Sequence, residues 1–73
     1  MEAVTIYIDE TVTRGRREKV ADIVMACNGV TAVGHYDENP HLMMIEYNPY
    51  SVTSHELLRV ILGQGLRAEV IGL

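Results

Sequence analysis

One cysteine in 73 residues excludes an internal disulfide and any metal site built on a cysteine pair. Cys27 falls where the apolar periodicity predicts a core position, so it is expected as a small buried hydrophobe. No apolar run approaches a membrane span, and the chain opens at Met1 without a basic and apolar leader; a soluble, cytoplasmic protein without membrane contact is expected. Basic residues are few. Six Lys and Arg against ten Asp and Glu leave a net charge of -4, which opposes the phosphate backbone and argues against nucleic acid as a partner. Repeats, linkers and low-complexity stretches are missing, and the length allows a single domain, 1–73, with one modest core. There is no glycine-rich phosphate loop, no Ser or Cys with a visible His and acid partner, and the carboxylates are scattered. An enzyme is therefore not expected.

What is present is a regular alternation of strand and helix patterns. Val4, Ile6 and Ile8 alternate with Thr5, Tyr7 and Asp9, which predicts a first strand with one buried face. Val20, Ile23, Val24 and Cys27 recur at helical spacing up to Asn28-Gly29, where glycine suits a left-handed cap. Val30 to Tyr36 and Leu42 to Tyr47 are β-rich runs split by the turn-forming Asp37-Glu38-Asn39-Pro40, a hairpin. Thr53-Ser54-His55-Glu56 has the spacing of a capping box, with Val52 and Leu57 placed as a hydrophobic staple, so a second helix starts there and ends near Gly63 to Gly65. Leu66 to Ile71 completes the pattern as a last strand.

The order βαββαβ predicts an α+β, ferredoxin-like sandwich: four antiparallel strands with two helices on one face. It brings Thr11 to Arg17, Asp37 to His41 and Gly63 to Leu66 together at one end of the sheet and puts His55 at the other. The open sheet face is expected to carry Tyr7, Tyr36, Leu42, Met44 and Ile71 among Thr5, Glu46, Arg67 and Glu69. Apolar area of this kind with aromatic and Met content fits protein contacts, self-association included.

From Asn28 onward the chain resembles the heavy-metal-associated (HMA) family of copper and heavy-metal carrier domains. The resemblance rests on Gly29-Val30 with Val33, Ile45-Glu46-Tyr47-Asn48-Pro49, Val52-Thr53 with Glu56-Leu57, and Gly65-Leu66-Arg67-Ala68. Counting back from Gly29 without a gap puts the family's metal-binding CxxC pair on Thr13 and Arg16, neither of which supplies a thiolate. The resemblance thus implies a metal-handling scaffold whose usual metal site is lost, and a non-catalytic interaction or accessory role without a cofactor.

Four of the six basic residues, Arg14, Arg16, Arg17 and Lys19, crowd the start of the first helix, where the macrodipole already presents positive charge. Such a cluster suits an acidic protein partner or a phosphate-bearing ligand. A solvated face neutralised by Asp9, Glu10 and Glu18 is the plainer expectation. An alternative metal site is His41 with Met43, Met44 and His35, since imidazole and thioether hold Cu(I) or a similar soft ion, whether in one chain or shared across a dimer. Strand alternation puts His41 and Met43 on one face and Met44 on the other, with Met43, Ile45 and Tyr47 inward by the family pattern; core packing of Met43 is the stronger expectation. The third reading, from another class, is a small acylphosphatase-like enzyme, a family with the same element order and an Arg-containing phosphate loop. This chain is shorter and lacks the rest of that family's glycine-rich pattern.

Overall fold

The inward-facing apolar alternation of the first strand is complete. In the computed structural model, which describes residues 1–72 (Tyr36 by its backbone alone), Val4, Ile6 and Ile8 of β1 (Glu2–Ile8) are buried, while Thr5 and Tyr7 face the open side. The remaining elements follow in the expected order: α1 (Arg14–Met25), β2 (Val30–Tyr36), β3 (Asn39–Tyr47), α2 (Ser54–Leu62) and β4 (Ala68–Gly72). The strands form one antiparallel sheet in the order β2-β3-β1-β4, with the buried stripes of both helices against it. This is the ferredoxin-like sandwich.

The core joins Ile6, Ile8, Met43 and Ile45 from the sheet to Val20 and Val24 of α1 and Leu57 and Ile61 of α2. Each such side chain contributes on the order of 2 kcal/mol when fully buried. Met43, Ile45 and Tyr47 point inward as expected.

Helix α2 starts on its capping box. Thr53 Oγ1 accepts the Glu56 N–H at 3.1 Å and donates its own hydroxyl proton to Glu56 Oε1 at 3.1 Å, while Val52 and Leu57 are both buried. Helix α1 ends at Met25, short of the expected Asn28, because the chain tightens: the Cys27 N–H bonds to Val24 O at 3.0 Å. Cys27 is consequently only half-buried, with its thiol directed at Ile23 O. Gly29 has φ +93, and a Cβ there would stand 2.7 Å from Ser51 Cβ, so backbone conformation and close packing both require glycine.

Two boundaries shift. The hairpin turn shrinks to Asp37-Glu38, and β3 begins at Asn39. Pro40, His41 and Leu42 lie opposite no β2 residue, between the Tyr36–Asn39 and His35–Met43 pairs, so this bulge spares a ladder bond that the missing proline N–H could not make. The last strand starts at Ala68, because Leu66 is spent in the core and the Arg67 N–H is taken by Glu10 Oε2 at 2.7 Å.

Candidate functional site

Thr13 ends the β1/α1 loop as the N-cap of α1, its Oγ1 accepting the Arg16 N–H at 3.2 Å. No carboxylate sits in the first turn, and Arg14 and Arg16 occupy it instead. The structure shows how the cationic start is tolerated. Arg14 Nε lies 3.3 Å from Glu18 Oε1, and its Nη1 lies 3.8 Å from Asp37 Oδ2. Arg16 Nη2 donates to Gln64 O at 3.0 Å, just beyond the C-cap of α2, where the helix dipole favours positive charge. Arg17 Nη2 donates to Asp37 Oδ1 at 2.6 Å. Three loops are thereby tied at one end of the sheet.

The four basic residues separate into two kinds. Arg17 is 4% exposed, because positions 17, 20, 21 and 24 form the stripe that packs on the sheet, and it is not offered to a surface partner. Arg14 is exposed but shared between two acids. Arg16 and Lys19 are exposed and have no carboxylate partner among the described residues. Of the acids expected to neutralise the cluster, Glu18 does so and Glu10 turns to the Arg67 backbone; Asp37, which was not among them, takes the larger share. The signal for Arg17 was in its spacing to Val20, Ala21 and Val24, which makes it a member of the buried stripe.

Thr13 and Arg16 do not fit a soft metal ion. The threonine hydroxyl is engaged in capping, and a guanidinium is itself a cation that offers donors and no acceptor. No group of three or more His, Cys, Asp or Glu among the described residues is placed to hold a metal.

The histidine and methionine quartet is divided by the sheet. His35 is the cross-strand partner of Met43, which is fully buried on the helix side. His41 corrects the expectation that it shares a face with Met43. The bulge turns it against Tyr7, whose ring centroid lies 5.4 Å away on the open side, and its Nδ1 donates to Ile8 O at 2.8 Å. Met44 is 43% exposed and pairs with Thr5, again on the open side. The four therefore do not converge on one ion. That open face carries Tyr7, Leu42, Met44 and Ile71; the side chain of Tyr36, expected there, lies outside the described residues.

No family model matches the sequence, and no curated protein does. Solved structures do. A copper-binding domain from HMA7, a P-type ATPase, matches with a TM-score of 0.89 and 17% identity over 99% of this chain and 96% of that one. The yeast copper transporter domain CCC2A, solved in apo and Cu(I)-loaded states, matches at 0.86 and 15% over 97% and 96%. Oxidized MerP from Ralstonia metallidurans matches at 0.83 and 14%, over 94% of each chain. Identities this low establish the fold alone. The chain has the fold of copper-binding transporter domains and metallochaperones, with a single cysteine and threonine and arginine at the start of α1.

Proposed function

We propose that this chain is a non-catalytic interaction module in a heavy-metal-handling setting, one whose β1/α1 loop has exchanged metal carriage for contact with an acidic protein partner. The observation that carries the reading is the bond from Arg16 to Gln64 O. At the place the sequence resemblance gives to a thiolate, a fixed cation ties the start of α1 to the end of α2. Copper or a similar ion is then neither cofactor nor cargo at this loop. The fold shared with copper-binding domains supports the setting, and the exposed, unneutralised Arg16 and Lys19 support the partner's acidity on a chain of net charge -4. Arg14 lies at the rim of this contact, and Arg17 serves it from below by holding the hairpin.

The open sheet face around Tyr7 and Met44 is the second contact surface of this reading, and self-association there is read by a mass measurement in solution. A cytoplasmic location accompanies the reading.

The test compares capture of partner proteins by wild type and by Arg16→Glu/Lys19→Glu. The same protein should be captured by wild type at low salt, less at moderate salt, and not by the variant, because exposed charge attraction is screened by ions. Equal capture by both at either salt overturns the reading.

A further inference from the structure

The two cations at the start of α1 that have no carboxylate partner among the described residues also line one groove. It has a volume of about 360 Å³, opens between α1 and the segment after α2, and is lined by Arg16, Lys19, Ile23 and Gln64. Positions 16, 19 and 23 stand on one helix face, since residues three and four apart are neighbours. The groove thus has cationic walls and an apolar patch: Ile23 is 40% exposed, a large aliphatic side chain with no core to cover it.

One wall is already held in place. Arg16 is fixed by its bond to Gln64 O, and Gln64 in turn anchors its side-chain amide on Val60 O at 3.3 Å. A guanidinium that gives one N–H to the protein keeps others, in a planar fork that matches a carboxylate. A ligand entering here loses less free energy to ordering the protein than one binding mobile surface arginines would.

Resting on the acidic-partner reading, we infer that this groove is the partner's docking site and that it takes an acidic segment in which a Glu or Asp is followed by an aliphatic residue. The carboxylate sits between Arg16 and Lys19, and the aliphatic side chain covers Ile23. Charge complementarity selects the acid, since this corner has two unneutralised cations on a molecule with ten acidic and six basic residues. The exposed Ile23 beside them selects its neighbour, because burying apolar area adds affinity that charge in water alone does not.

The test is an NMR titration of isotope-labelled protein at low salt with the capped peptide acetyl-Glu-Leu-Glu-Leu-Glu-amide. Two control peptides replace every Glu by Gln or every Leu by Gly. Saturable shifts should centre on the amides of Arg16, Lys19, Ile23 and Gln64. Binding should be lost with the Gln peptide and be several-fold weaker with the Gly peptide. Lys19→Gln and Ile23→Ser should each weaken it several-fold, whereas Arg59→Gln, the same loss of charge at a cation that does not line the groove, should not. The dispersion of each variant's spectrum reports that it is folded. Shifts elsewhere on the surface, with equal binding of the Leu and Gly peptides, would overturn the groove while leaving the acidic-partner reading standing. No saturable shift with either acidic peptide at millimolar concentration would overturn both.

Discussion

Arg17 Nη2 and Asp37 Oδ1 lie 2.6 Å apart, joining a side chain sealed beneath the first turns of α1 to a hairpin carboxylate that is 63% exposed. The link has one secure end and one wet end. Solvent screens the charge attraction, but the buried guanidinium has no other carboxylate, and its Nε finds no acceptor among the described residues. The pair therefore fixes where the hairpin sits against α1 more than it stabilises the fold.

Removing the wet end alone strands the buried cation. Asp37→Ala is expected to cost about 1 to 2 kcal/mol, the range for a hydrogen bond to a charged group discounted for exposure. Arg17→Met should cost less, because it removes a buried charge and an unmet donor together and keeps the apolar stem. Chemical denaturation of both variants reads the ranking; the reverse order would show that Arg17 is held by something other than Asp37.

Gly29 meets two demands at once, a left-handed φ and contact with Ser51 and Val52. Gly29→Ala should destabilise by about 2 kcal/mol or more, from backbone strain and overpacking together. Gly65, with φ +83 and open space around it, faces the first demand alone and should lose less on the same substitution. Equal melting-temperature losses would show that contact with Ser51 is relieved without cost.

Tyr47 carries the pH response. Burial pushes its phenol above the ordinary value of 10.0, reinforced by the Glu2 carboxylate that accepts its hydroxyl at 3.2 Å. The folded state thus holds the phenolic proton more tightly than the unfolded state. This contribution is fully present below pH 10.0 and is lost as pH rises from there through the raised value, at up to about 1.4 kcal/mol per pH unit. Tyr47→Phe should flatten that alkaline loss and give up about 1 kcal/mol at pH 7, where wild type still makes the bond to Glu2; a variant that loses stability above pH 10 as steeply as wild type would assign the response to another group.

The fold was legible in the sequence because its signals were local and agreed with one another. The Val4, Ile6, Ile8 alternation, the Thr53 and Glu56 capping box and Gly29 each set one element without help from distant contacts. The site was legible in part. Sequence neighbours put four cations at one helix start, and element order put the hairpin and the α2/β4 loop beside them. What it hid was the division among those cations, which depends on a one-residue difference in helical phase: Arg17 turns inward with Val20 and Val24, and Arg16 turns toward Gln64. His41 departs from its expected face for a related reason. Strict alternation assigns it the face of Met43, and the bulge around Pro40 breaks that alternation.

The double substitution Thr13→Cys/Arg16→Cys carries its own prediction. It should lose about 1 kcal/mol from the missing N-cap yet stay folded, and should gain a Cu(I) or Zn(II) site, since thiolates at a helix N-terminus are electrostatically favoured. Metal content after dialysis reads the gain; a folded, reduced variant that retains no metal would place the ligand positions elsewhere.

Retention of Cu(I) by the reduced wild-type protein against a strong Cu(I) chelator tests the central claim most directly. The chelator should strip all copper and leave the melting temperature unchanged, because Thr13 and Arg16 offer no ligand and the His and Met side chains are divided between the two sheet faces. Stoichiometric copper that resists the chelator, and is lost in His41→Ala, would contradict it.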